Sequence, residues 1–129
     1  LPDVSGKPIT LQRLMAVLMA PFCWLMGVPW NEAPVAGALM GTKTILNELM
    51  AYIDMGHLPA GSLSPRSLMI MTYGMCGFAN PGSLGIMVGG MGTMAPDRRP
   101  ELVDLGLRAL VSGTISSCTL GCVIGLIGI

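Results

Sequence analysis

The sequence predicts an all-α membrane protein, and three observations carry that prediction. Only 11% of the residues are charged and 52% are hydrophobic, where a soluble globular domain has roughly 25% charged residues, and the mean hydropathy is +0.68. Residues 67 to 96 contain no Asp, Glu, Lys, Arg or His, a run well beyond the about 20 residues that cross a bilayer at about 1.5 Å each. The middle of that run reads Cys76-Gly77-Phe78-Ala79-Asn80-Pro81-Gly82-Ser83, a helix breaker with polar flanks at membrane depth. Unpaired backbone groups are tolerated there only inside protein or beside a watery cavity. Paired half-helices of this kind build the midplane sites of inverted-repeat transporters. The expected architecture is therefore a re-entrant helical hairpin, a broken transmembrane helix and a final transmembrane helix, forming part of such a transporter.

The elements follow in chain order. Residues 10 to 28 form an apolar helical stretch with Arg13 near one end and Pro21 in its middle, stopping at Gly27-Val28-Pro29-Trp30. A second stretch, 33 to 54, follows after a Pro-Trp-Asn-Glu turn. Two such stretches across a tight turn predict the re-entrant hairpin, bounded at 9–55. A turn with Gly56, His57, Pro59 and Gly61 leads to the broken helix, bounded at 64–96. Pro81 removes a backbone donor and pushes Asn80 out of the helical region, while Gly82 allows the dihedrals a gap requires. After Pro96-Asp97-Arg98-Arg99-Pro100, the final helix occupies 99–129, and residues 109–129 carry no charge. Arg98, Arg99 and Arg108 outweigh Arg66 at the other end of the broken stretch, so the positive-inside rule places residues 97 to 100 in the cytoplasm. The hairpin tip then enters from the opposite side.

The second stretch holds the chemistry. Read as one helix, it aligns Gly37, Gly41, Thr44, Glu48 and Tyr52 along a single face, which a substrate could approach closely. Intramembrane carboxylates usually face a protein interior or a water-filled route where they bind or relay something. The structural alternative is that Glu48 pairs with Lys43 or caps a half-helix. Lys43 and Asn47 share a neighbouring stripe and are read as hydrogen-bond links between helices. Gly37/Gly41, Gly85/Gly89 and Gly121/Gly125 match the small-residue packing spacing of membrane helices and are read as packing positions.

Several function classes are excluded on composition. The net charge is zero, which gives nucleic acid no electrostatic footprint. Cys23, Cys76, Cys118 and Cys122 all sit in apolar stretches, without the spacing of a zinc site or a secreted disulfide framework, so no metal site is expected. No nucleophile has a neighbouring His and no phosphate-cradling loop appears, so the protein is not expected to be an enzyme. His57 is read as a solvated surface residue. The chain opens without an initiator Met or a basic leader, and a carboxy-terminal fragment is expected.

Gly27-Val28-Pro29-Trp30, Gly41-Thr42-Lys43-Thr44-Ile45-Leu46-Asn47-Glu48-Leu49, Leu63-Ser64-Pro65-Arg66-Ser67 and Cys76-Gly77-Phe78-Ala79-Asn80 resemble the concentrative nucleoside transporter family. Arg98-Arg99-Pro100-Glu101 and Leu105-Gly106-Leu107-Arg108-Ala109-Leu110 extend the likeness over nearly the whole chain, to the family's carboxy-terminal portion. The resemblance implies part of a bacterial inner-membrane, multi-pass symporter that imports nucleosides on a sodium or proton gradient, assembled as a homotrimer. It implies that Glu48, Asn80 and Ser83 bind the ribose hydroxyls, that Phe78 offers an apolar wall, and that Thr44, Asn47 and Lys43 support the site. The coupling ion and the nucleobase contacts are expected outside this fragment, and no other cofactor is expected. Two alternatives stay open: a membrane packing or assembly subunit, and a secondary transporter of another small polar solute.

Overall fold

The computed structural model describes residues 3–4, 7–8 and 11–128. Residues 9 and 10 of the expected hairpin and Ile129 of the expected final helix lie outside the described residues. The described chain is helical apart from one antiparallel pairing of β1 (Asp3–Val4) with β2 (Lys7–Pro8), in which Asp3 opposes Pro8. A two-residue ladder is too short for hydrophobic alternation to announce it.

Helix α1 (Leu11–Leu25) ends in a Schellman turn. Val28 N donates to Cys23 O at 3.2 Å and Gly27 N to Trp24 O at 2.9 Å, with Gly27 at φ 102°, the left-handed conformation that this cap demands and glycine adopts without strain. Trp24 and Trp30 then meet edge to face across the turn, their ring centroids 6.0 Å apart. Helix α2 (Ala33–Ile45) returns along α1. The two backbones approach so closely at Gly37 that a Cβ there would strike Ala16 O and lie 2.8 Å from Ala20 N.

The second stretch is not one helix. It stops at Ile45, and Asn47 turns extended (φ −166°, ψ 171°) and caps a new helix, α3 (Glu48–Gly56), by accepting from Met50 N at 2.9 Å. The single-face alignment of Gly37, Gly41, Thr44, Glu48 and Tyr52 therefore fails beyond Thr44, because the break resets the helical phase. Asn47 is likewise a cap and not a link between helices.

The thirty-residue uncharged run holds two helices. Ser64 caps α4 (Pro65–Gly74), and after residues 75–80 Asn80 caps α5 (Pro81–Met94). In both, Pro occupies the first helical position, where its missing N–H is not needed. A single 3-10 turn (Pro96–Arg98) leads into α6 (Arg99–Ile127). At 29 residues α6 extends about 43 Å, beyond the about 30 Å of a bilayer's hydrocarbon core. Together with the preceding turn it is, among the described residues, the one helix long and apolar enough to cross a membrane.

The core gathers Cys23 of α1, Met26 in the turn after it, Ala36 and Met40 of α2, Ala51 of α3, and Ile70 and Met71 of α4. Helix α6 closes it with small residues: Gly121 and Gly125 are buried, and a Cβ at Gly121 would sit 3.4 Å from Gly74 Cα. The Gly121/Gly125 pair is thus a packing position. Among the described residues a Cβ at Gly85 or Gly89 would meet nothing within 4 Å.

Candidate functional site

Two helix breaks face each other, one between α2 and α3 and one between α4 and α5. Each break exposes terminal backbone groups that need partners, and side chains from the first break supply several for the second. Asn80, buried and extended, accepts from Ser83 N at 2.8 Å through Oδ1 and donates from Nδ2 to Glu48 Oε2 at 3.3 Å. Both ends of its amide are therefore engaged, which fixes its orientation. Lys43, with no solvent exposure, donates from Nζ to Ala79 O at 3.5 Å. Tyr52 donates its phenol proton to Thr72 O at 2.6 Å, near the end of α4.

Glu48 opens α3, where a carboxylate is favoured by the positive end of the helix dipole. It forms no ion pair with Lys43; the ammonium reaches past it to the Ala79 carbonyl. Glu48 and Asn80 bond directly to each other. A carboxylate and a primary amide at this separation offer two acceptor oxygens and an N–H donor to any group that enters between them.

The other expected site residues are distributed around this pair. Ser83 sits in the first turn of α5, half-buried, its backbone N held by Asn80. Phe78 lies in the connecting segment with its ring 73% exposed, so it walls nothing within the described residues. Thr44 donates to its own helix at Met40 O, 2.7 Å away. It also lines, with Met19, Phe22, Ala79, Asn80 and Cys118, an apolar cavity of about 660 Å³ between α1, the α4–α5 break and α6. Neither Glu48, Ser83 nor Phe78 reaches that cavity.

Three features escaped the sequence reading: the α2–α3 break, the Tyr52 bond to Thr72, and a bond from Ser64 N to Glu32 Oε2 at 3.0 Å. The first had a signal, an Asn immediately before a first-turn Glu. The four thiols are free. Among the described residues no group of three His, Cys, Asp or Glu side chains is placed to hold a metal ion.

Comparison with known proteins bears on the chain as a whole. A family model described as the C-terminus of Na+ dependent nucleoside transporters matches residues 3–125. The chain is 42% identical over 110 residues to the putative nucleoside permease NupX of Escherichia coli (strain K12), covering 84% of this chain and 26% of that protein. It is 35% identical over 139 residues to sodium/nucleoside cotransporter 1 of Mus musculus, covering 97% of this chain and 21% of that protein. The fold is similar to the structure of CNTnw in an inward-facing substrate-bound state, with a TM-score of 0.83, 39% identity, and coverage of 92% of this chain and 29% of that one. The chain thus spans less than a third of each of these relatives, all of them transporters rather than enzymes.

Proposed function

Because the chain belongs to the family of sodium-dependent nucleoside transporters, whose carboxy-terminal portion it matches, we propose that it supplies the ribose-binding half of the substrate site in a cation-coupled nucleoside symporter. Residues 9–55 form the re-entrant hairpin, 64–96 the broken membrane helix and 99–129 the final membrane helix. The whole protein is a multi-pass homotrimer of a bacterial inner membrane, and its sodium or proton site lies outside this segment.

The observation that carries the reading is the 3.3 Å contact between Asn80 Nδ2 and Glu48 Oε2 where the two breaks cross. A ribose enters by exchange: its vicinal hydroxyls donate to Glu48, and one accepts from Asn80 Nδ2 in place of the existing bond. Ser83, in the first turn of α5, adds a hydroxyl on the same side of the break, and Phe78 swings against the sugar or base as an apolar wall. Lys43 and Asn47 hold the breaks while this happens. A sugar lacking the hydroxyls breaks the Asn80–Glu48 bond without replacing it, and leaving a charged group unpaired costs about 1.5–3 kcal/mol, or roughly 10- to 100-fold in affinity.

The test is Glu48→Gln in the full transporter. Uridine binding is lost while trimer assembly survives, and in the wild type ribonucleosides compete for uptake whereas 2′,3′-dideoxy analogues do not. Equal competition by both classes, or loss of assembly in Glu48→Gln, would refute the ribose assignment.

A further inference from the structure

The segment Ser64-Pro65-Arg66-Ser67 has no part in the ribose chemistry, yet it is fastened at both sides. Arg66 donates to Gly125 O at the carboxy end of α6, 2.7 Å away. On the other side, Glu32, the residue at the start of α2, accepts through Oε2 from Ser64 N at 3.0 Å and from Ser64 Oγ at 3.2 Å. Ser64 Oγ also lies 3.0 Å from Ser67 Oγ and caps α4 by accepting from Ser67 N. Glu32 makes no capping bond to its own helix; its carboxylate serves the neighbouring one.

This single side chain therefore joins the start of α2 to the start of α4. The far end of α2 is joined to the segment after α4 by Lys43 and Ala79 O. Between these two ties, Ala36 and Met40 of α2 share a core with Ile70 and Met71 of α4. Helix α2 has 13 residues and α4 has 10, about 20 and 15 Å at the helical rise. A shift at the Glu32 end is carried along these short rods to the breaks that present Glu48 and Asn80. The carboxylate also faces the positive ends of two helix dipoles at once, which favours the joined arrangement over separation.

We infer that Glu32 is a positioning residue for substrate binding: by tying the amino ends of α2 and α4 it sets the register in which Glu48 and Asn80 meet. This rests on the reading of that pair as the ribose site. In the full transporter, Glu32→Ala raises the uridine concentration for half-maximal uptake about fivefold or more per molecule in the membrane. It also narrows the preference for uridine over 2′,3′-dideoxyuridine by a similar factor. Glu32→Gln, which still accepts from Ser64, stays within about twofold of wild type. Ser64→Ala, which removes only the hydroxyl and guards against a Glu32→Ala protein that fails to reach the membrane, shifts both measures in the same direction by about two- to threefold.

A Glu32→Ala or Ser64→Ala protein with lower abundance but unchanged half-saturation has lost only stability, and that result overturns the inference. So does a Glu32→Gln protein as impaired as Glu32→Ala. Glu48→Gln measured alongside separates the two layers. If it loses uridine binding while Glu32→Ala and Ser64→Ala remain normal, the positioning role alone falls; if it binds uridine normally, the ribose reading falls with it.

Discussion

Replacing Asn80 separates the two jobs its amide performs. Oδ1 caps α5 through Ser83 N at 2.8 Å, and Nδ2 bonds to Glu48 at 3.3 Å. Ser is as good a cap as Asn, so Asn80→Ser keeps the start of α5 and deletes only the donor aimed at Glu48. A hydrogen bond to a charged group contributes about 1.5–3 kcal/mol, so Asn80→Ser loses thermal stability of that order through the missing bond to Glu48. The ribose hydroxyl also loses its donor at position 80, a neutral bond of about 1 kcal/mol, which predicts a roughly fivefold rise in the uridine concentration needed for half-maximal uptake. Asn80→Ala loses the cap as well, about 1 kcal/mol further, and lowers the melting temperature measurably. Asn80→Asp keeps the cap but sets two carboxylates about 3.3 Å apart; their repulsion, near 5 kcal/mol at an effective dielectric of about 20, drives them apart or forces one to hold a proton. The assay is labelled-uridine uptake by vesicles carrying the full transporter, normalised to protein in the membrane, together with thermal unfolding in detergent. Wild-type half-saturation in Asn80→Ser would refute the reasoning, whatever happens to the other two variants.

The remaining predictions concern packing and the breaks. Gly37→Leu places a side chain against Ala16 O and the Ala20 backbone, which cannot give way as a flexible side chain does; the hairpin opens, and no folded transporter is recovered after detergent extraction. Lys43→Met keeps the buried volume but leaves Ala79 O without its partner, and it lowers the melting temperature by the equivalent of about 1–3 kcal/mol. Lys43→Glu, which buries a charge beside Glu48 and a carbonyl, is recovered in far smaller amount. Tyr52→Phe removes only the bond to Thr72 O, and chemical denaturation shows a loss of about 1 kcal/mol with little change in abundance.

What could be read from the sequence depended on whether a signal was local. The pause at Asn80-Pro81 is local, because proline and the residue before it restrict the backbone whatever surrounds them, and α5 begins at Pro81. The pause at Asn47 is equally local but was hidden: apolar residues continue on both sides of it, so the run reads as one helix unless the cap is noticed. Taking Glu48 as the centre of the chemistry followed from its charge alone, whereas its neighbour could not. That Asn80 lies beside it, 32 positions along the chain, is set by the tertiary packing that brings the two breaks together, and no spacing within either helix encodes that. The same holds for Glu32 and Ser64, which belong to two turns that the sequence presents as separate punctuation.

Polar bonds rather than apolar burial define this arrangement, and the solvent explains why. Between helices in lipid the hydrophobic effect supplies little drive, so close packing and hydrogen bonds decide which arrangement holds. Glycine contacts such as Gly74 against Gly121 bring the helices together, but smooth surfaces can slide. The breaks resist sliding, because Thr72 O and Ala79 O would lose Tyr52 and Lys43. On the proposed ribose reading, the bond between Asn80 and Glu48 also limits how tightly a sugar can bind. Each hydroxyl that enters must replace the Asn80–Glu48 bond before it adds one, so the net gain is the difference between two hydrogen-bonded states.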